Sequence, residues 1–160
     1  MIFVHDTRDK PGKHKNVDDY LTANGHSIVR SKLYVGDVTL LHNQSVCIDL
    51  KQSVMELIMD VYQQHKRFRN ELIRAQEAGI QLYVLVEEEL PNGRLDEWVA
   101  PTWQTFGKGH HVGDPMSKAD PKRLRKALIT MQERYGVKFR FCSPKNTGAE
   151  ILRLLTEEKK

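Results

Sequence analysis

Apolar residues along this chain fall into two rhythms, short dense runs and longer stretches that repeat every three or four positions. Ile2-Phe3-Val4 is a β-prone run ending at Asp6, and Ser27-Ile28-Val29-Arg30 reads as a second strand. Between them Asn16 can cap a short helix carrying Val17, Tyr20 and Leu21, with Gly25 placed to end it. Val38-Thr39-Leu40-Leu41 and Val46-Cys47-Ile48 are two further strands, separated by Asn43-Gln44-Ser45. From Ser53 to Ala78 there is no Gly or Pro, and Val54, Leu57, Ile58, Val61, His65, Phe68, Leu72 and Ala75 mark out one face at helical spacing. That spacing predicts one long helix, with Gly79 as its stop. Ile80 to Val86 is a nearly continuous apolar run, as expected of a central strand covered on both faces.

The rhythm breaks over residues 88–117, which carry Pro91-Asn92-Gly93, Pro101, Gly107, Gly109, Gly113 and Pro115. Trp98, Trp103 and Phe106 supply anchors, so an ordered excursion is expected. Within it, Gly107-Lys108-Gly109-His110-His111 has neither the cysteine partners of a zinc site nor the spacing of a P-loop. Regularity returns at Asp120-Pro121, an N-cap and first-turn pair, followed by Leu124, Ala127, Leu128 and Met131 up to Gly136. Val137, Phe139 and Phe141 then alternate with Lys138 and Arg140 as in a half-exposed strand. Thr147 and Glu150 make a capping-box pattern ahead of Ile151, Leu152 and Leu155. The order β-α-β-β-β-α-β-loop-α-β-α predicts a single α/β domain over residues 1–160, with a core at 1–88 and a C-terminal α-β-α at 118–157.

Composition changes this picture little. The chain has 160 residues, 39% hydrophobic and 29% charged, as a soluble globular protein would. No apolar run approaches the ~18 residues of a membrane span, so no membrane partner is expected. The start, Met1 to Asp6, turns acidic at once and is not expected to be a signal peptide. Cys47 and Cys142 both fall in strand-like runs, which predicts two reduced core thiols in a cytoplasmic protein. A net charge of +4 is compatible with a polyanionic partner without requiring one.

Three polar segments punctuate the strand ends: Asp6-Thr7-Arg8, Gly36-Asp37 and Asp49-Leu50-Lys51. Acid-x-Lys by itself carries little information, since Asp120–Lys122, Glu157–Lys159 and Glu158–Lys160 repeat it. Only Asp49–Lys51 closes a predicted strand, where alternation puts both side chains on one face. A three-residue Asn43-Gln44-Ser45 loop pairs His42 with Val46, Thr39 with Asp49 and Asp37 with Lys51, so that all three polar side chains share that face. A two-residue loop would pair Asp37 with Leu50 and turn it away, because a one-residue slip reverses every side chain. The site therefore requires an odd loop or a bulge. Asp6, Asp37 and Asp49 held together repel one another unless a cation intervenes, which favours uptake of a hard ion such as Mg²⁺. Lys51 can serve as a positive charge beside an attacking water or a pentavalent phosphate.

These segments resemble the nuclease domain of the XPF type, within the PD-(D/E)XK superfamily. Asp6-Thr7-Arg8-Asp9 matches its Asp-x-Arg-acidic stretch, Leu33-Tyr34-Val35-Gly36-Asp37 its Gly-Asp block, and Asp49-Leu50-Lys51 its Glu-Arg-Lys block. The resemblance covers residues 1–88 by motif and the rest by order of elements. It implies a restriction-endonuclease-like mixed central sheet flanked by helices. It also implies a Mg²⁺- or Mn²⁺-dependent DNA endonuclease, of a kind used in repair or recombination. Asp37, Asp49 and Lys51 are its catalytic residues on this reading, with metal held by Asp37, Asp49, the Leu50 carbonyl and Asp6. The family commonly works as dimers, which makes a homodimer an option. Two positions depart from the pattern. Leu50 replaces an arginine that would face DNA or the acidic cluster, and Met55 stands where a fourth acid is expected, with Glu56 one position late.

Arg8 is expected to orient the carboxylates, and Gln52 to polarise the water or satisfy a strand end. Lys66, Arg67, Arg69 and Arg74 on the long helix, and Lys122, Arg123, Arg125 and Lys126 on the next, form two basic patches. Arg67, Arg69, Lys122 and Arg123 are the candidate phosphate contacts. The rival readings are a catalytically inactive nuclease-fold module that binds DNA, and a partner-docking protein whose acidic cluster is incidental.

Overall fold

The computed structural model describes residues 1–99 and 120–157. Six strands form one sheet in the order β2-β1-β3-β4-β5-β6. The strands are β1 (Ile2–His5), β2 (Ser27–Arg30), β3 (Val38–Leu40), β4 (Asn43–Lys51), β5 (Gln81–Val86) and β6 (Lys138–Phe141). β3 runs antiparallel to both β1 and β4, while β1–β2, β4–β5 and β5–β6 are parallel. All six predicted strands are present, and the sheet is mixed.

Strand alternation divides the core in two. Cys47, Leu82, Val84, Val86 and Phe139 face a layer made of α2 (Val54–Ile58), α3 (His65–Glu77) and α4 (Pro121–Tyr135). Ile48, Leu50, Tyr83 and Leu85 face the opposite layer, α1 (Lys15–Ala23) and α5 (Thr147–Glu157). β5 is thus covered on both sides, which explains its unbroken apolar sequence. α1 and α5 meet at Gly148, where a Cβ would lie 2.6 Å from Tyr20 Cβ. Only a residue without a side chain allows that approach.

The predicted helix over Ser53–Ala78 is broken. α2 passes into a π-helical turn, Met59–Gln63, and Gln64 (φ −109°, ψ 28°) separates it from α3. The apolar periodicity continues across the break because both pieces lie on the same sheet face, so the pattern alone gives no sign of it. Asn16 is not the cap of α1. His14 precedes that helix, and the Asn16 side chain instead reaches Glu87 Oε1 and the Pro144 carbonyl, each at 2.9 Å. Trp98 is buried and donates to Glu88 Oε2 at 2.6 Å, an anchor at the start of the excursion. Trp103, Phe106 and the Gly107–His111 segment lie outside the described residues.

The β3–β4 hairpin also differs from expectation. Val38 pairs with Ile48, Thr39 with Cys47 and Leu40 with Asn43, so the turn is Leu41-His42 and the register shifts between Thr39 and Leu40. Asn43, Gln44 and Ser45 belong to β4 and do not form the loop. The extra residues on β4 are held as a bulge: Thr39 Oγ1 donates to the Val46 carbonyl at 2.7 Å, and Ser45 Oγ donates to Asn43 Oδ1 at 2.7 Å. The bulge restores the parity that a two-residue turn would have lost. Its net effect is to bring Asp37 opposite Asp49, where the three-residue loop had placed it opposite Lys51.

Candidate active site

Asp49 and Lys51 lie on the face of β4 that turns toward α2 and α3, continuing the row begun by the core residue Cys47. The last apolar contact in that row is Phe68, whose ring centroid lies 5.6 Å from Lys51 Nζ. Beyond it the layer becomes ionic. Lys51 is 8% exposed, and its ammonium sits between Asp49 Oδ2, at 2.9 Å, and the carboxylate of Asp60 in the π-helical turn. Burial alone would lower the Lys51 pKa, but Asp49 and Asp60 outweigh it and drive it upward. Lys51 is therefore a fixed cation, unsuited to acting as a base.

Asp37 enters from the other strand of the hairpin. Gly36 makes the turn, with φ at +77° and room for a Cβ only 3.0 Å from the Ile48 carbonyl. The Gly36 N–H donates to Glu71 Oε2 on α3 at 3.0 Å, which pins the turn to the helix layer. Asp37 N–H donates to the Ile48 carbonyl at 2.7 Å, and Asp37 Oδ2 accepts from Leu50 N–H at 2.7 Å. Burial, followed by the charges of Asp49 and Asp9, holds the Asp37 carboxyl well above the usual carboxylate range. Glu71 is raised for similar reasons, burial first and Asp49 second.

Asp9 and His14 close the third side. Asp9 Oδ2 lies 3.2 Å from His14 Nε2, and Asp9 Oδ1 lies 3.4 Å from Lys13 Nζ. Burial pushes the Asp9 pKa up, yet Lys13, His14 and the hydrogen bond with Asp37 bring it below its ordinary value. Donor atoms of Asp9, His14 and Asp37 all lie within 4.8 Å of one another. The resulting cleft has a volume of about 520 Å³, with Asp6, Asp9, Asp37, Asp49, Glu56, Asp60 and Glu71 facing only Arg8, Lys51, Arg67 and Arg74. Asp49 Oδ2 is buried, and although the Lys51 charge is close, no well-directed hydrogen bond satisfies it. A buried, under-satisfied carboxylate oxygen among mutually repelling acids is the environment a divalent cation relieves, so the donor set fits Mg²⁺ or Mn²⁺.

The other expected site residues are distributed unevenly. Asp6 lines the cleft, but its oxygens are engaged: Oδ1 accepts from Leu33 N–H at 3.1 Å and Oδ2 from Arg8 Nε at 2.5 Å. Arg8 also donates to the Leu33 carbonyl at 3.0 Å, clamping the first strand to the segment ahead of Gly36. Glu56 reaches the cleft wall while its Oε2 accepts from Gln52 N–H at 2.9 Å, part of the cap around Ser53. The Gln52 side chain is exposed and leans toward the Lys13 carbonyl at 3.5 Å. Strand alternation sends the side chain between Asp49 and Lys51 to the other face. The Leu50 side chain, 2% exposed, packs under α1 and α5 on the opposite face, and only its backbone takes part in the site. Met55 is likewise buried in the core.

Of the four cations nominated for phosphate contact, Arg67 lines the cleft. Arg69 points into a separate groove between α3 and α4. Arg123 stacks its guanidinium 5.7 Å from the Tyr62 ring, and Lys122 is exposed at the start of α4. Sequence reasoning had not assigned His14, Asp60 or Glu71. Glu71 was detectable as a carboxylate inside the apolar stripe Phe68-Leu72-Ala75. Asp60 was not, because its direction depends on the π-helical turn.

The sequence profile described as "ERCC4 domain" matches residues 6–155. The chain belongs to the ERCC4 domain family. XPF from Aeropyrum pernix superposes with a TM-score of 0.68 at 17% identity, covering 100% of this chain and 66% of that chain. XPF from the same organism in complex with DNA gives 0.64 at 18% identity, covering 99% and 64%. The chain thus spans just under two thirds of the length of either. No curated protein matches it. This ERCC4 domain has the XPF-type nuclease fold, a mixed restriction-endonuclease-like sheet flanked by helices. Among the described residues no helix is long and apolar enough to cross a membrane.

Proposed function

We propose that this ERCC4 domain hydrolyses phosphodiester bonds in DNA as a Mg²⁺- or Mn²⁺-dependent endonuclease, by direct attack of water and selecting for DNA structure. The observation that carries the reading is the placement of Asp37 opposite Asp49 at the end of the β3–β4 hairpin, with the Lys51 ammonium 2.9 Å from Asp49 at the cleft wall. Asp37 and Asp49 hold the cation, with the Leu50 carbonyl and Asp6 as further oxygen donors. When bound, the ion supplies Lewis-acid stabilisation of the phosphoryl oxygens and a lowered pKa for attacking water. Lys51, fixed between Asp49 and Asp60, presents positive charge to the pentavalent phosphate and orients the water without removing its proton. Arg8 and Glu71 act at one remove, by fixing Asp6 and the Gly36 turn. Gln52 and Glu56 border the entrance. Arg67 and Arg74 offset the acidic wall where a phosphate backbone would pass, and Arg69, Lys122 and Arg123 are placed for more distant phosphates.

The acidic lining explains why a cation is needed. A cleft in which carboxylates outnumber basic groups repels DNA until it is neutralised. Residues 1–160 are proposed to act as one nuclease unit, in repair or recombination, in a cytoplasmic setting consistent with two free thiols. A homodimer is part of the proposal. One observation favours a second reading, a module that binds DNA without cutting: Met55 is buried in the core, so no acid occupies the fourth position of the pattern. Replacing Asp49 by Ala tests the choice. The nuclease reading predicts loss of metal-dependent cleavage by about a thousandfold or more, with DNA binding equal or tighter because a repulsive charge is gone. Cleavage equal to that of the unaltered chain would refute the assignment.

A further inference from the structure

His14 is a buried imidazole that none of the hydrolytic steps above uses. It is 5% exposed and sits immediately before α1, where its carbonyl accepts from Val17 and Asp18 N–H, both at 3.1 Å. These bonds fix the backbone at the helix start, and the ring lies behind Asp9, which lines the cleft. One nitrogen, Nε2, lies 3.2 Å from Asp9 Oδ2. The other, Nδ1, is buried without any hydrogen-bond partner. A buried ring nitrogen without a partner is costly unless something else satisfies it, and the opposite nitrogen is the one that meets the carboxylate of Asp9. Donor atoms of His14, Asp9 and Asp37 already converge within 4.8 Å. Ligands about 2.0–2.2 Å from a common ion stand at most ~4.4 Å apart, so closure by a few tenths of an ångström suffices.

Donor chemistry then determines which ion fits. An all-oxygen set suits Mg²⁺, which dehydrates reluctantly and takes hard ligands. An imidazole nitrogen favours first-row transition ions over Mg²⁺. We propose that His14 joins Asp9 and Asp37 as a nitrogen ligand, making a seat for a first-row transition ion such as Mn²⁺ in preference to Mg²⁺. The inference rests on the metal-dependent reading of this cleft and specifies the ion. Asp37 is common to this seat and to the Asp49 side, so the nitrogen-containing seat is continuous with the hydrolytic centre. Lys13, 3.4 Å from Asp9 Oδ1, is the local cation that metal entry would displace from Asp9.

The test is pulsed electron paramagnetic resonance of the full chain loaded with one equivalent of Mn²⁺. The expected result is a nuclear coupling from a directly bonded nitrogen that changes when the histidine nitrogens are isotopically labelled. His14→Gln removes that coupling and weakens Mn²⁺ binding by about tenfold or more, while Mg²⁺ binding, read by competition, changes less. Because the labelled unaltered chain reports the ligand directly, the test does not depend on the variant folding. Bound Mn²⁺ with no nitrogen coupling, but lost on Asp37→Asn, overturns the inference and leaves the nuclease reading standing. Nitrogen coupling that persists in His14→Gln also overturns it. Absence of any bound Mn²⁺ in the unaltered chain overturns both.

Discussion

Replacing Asp37 by Asn should stabilise the metal-free protein, although it removes a residue central to the proposed chemistry. Asp37 is buried, and its carboxyl is held well above the ordinary value of 3.8 by burial and by Asp49 and Asp9. The linkage has a definite sign. Below the ordinary value both folded and unfolded states are protonated and Asp37 costs nothing. As pH rises, the unfolded chain releases its proton first, so stability falls until the folded pKa is passed, and the cost is then complete. Each unit of elevation is worth about 1.4 kcal/mol. Coulomb repulsion sets an upper scale of about 4 kcal/mol for two charges 4 Å apart at an effective dielectric of 20.

Asn keeps an oxygen to accept the Leu50 N–H, now 2.7 Å from Asp37 Oδ2, and its amide can donate to Asp49. The expected gain at pH 8 in chelator is at most the Coulomb scale of about 4 kcal/mol, or up to roughly 12 °C in melting temperature at ~3 °C per kcal/mol for a chain of this size. The gain should vanish near pH 4. Thermal melts of both proteins from pH 4 to 9, with and without Mn²⁺, measure it. Added Mn²⁺ should reverse the order, since only the unaltered chain gains stability from the ion. A variant that melts lower than the unaltered chain at pH 8 in chelator, or a difference that does not change with pH, would refute the argument.

Asp60→Asn loosens Lys51 from one of its two carboxylates, and is expected to lower kcat by about tenfold to a hundredfold with little change in KM; Asp60→Glu should recover part of the loss, and steady-state kinetics distinguish the two parameters. Gly148→Ala places a Cβ 2.6 Å from Tyr20 Cβ, and should cost about 1–3 kcal/mol by denaturant unfolding, a loss that Tyr20→Ala in the same chain should partly relieve. Arg67→Ala should weaken DNA binding and reduce the salt slope by about one, whereas Arg69→Ala, in the separate α3–α4 groove and placed only for more distant phosphates, should weaken binding less.

The fold was largely legible because its determinants are local. Dense apolar runs marked the strands, and alternation at Asp49 and Lys51 put both on one face wherever the partner strand lay. Two features were not legible. The hairpin turn is Leu41-His42, without the Gly or Asn that marks a tight turn, and the bulge correcting its parity depends on the Thr39 hydroxyl reaching the Val46 carbonyl. The break at Gln64 leaves the apolar stripe intact on either side, so periodicity read straight through it. The site was half visible for similar reasons. Asp37, Asp49 and Lys51 stand at strand ends with motif spacing. Asp60 reaches the cleft from a π-helical turn and His14 backs Asp9 from a helix start, far from one another in sequence, and tertiary packing alone brings them there. Leu50 was legible in the same way as Asp49 and Lys51: strand parity alone sends its side chain to the face opposite theirs.

Single-turnover cleavage of flap, junction, duplex and single-stranded DNA in Mn²⁺, Mg²⁺ or chelator tests the central claim most directly. The account predicts cutting of at least one branched substrate in the presence of metal, none in chelator, and none by Asp49→Ala. Absence of cutting with either ion on every substrate, while the same DNA remains bound, would contradict it.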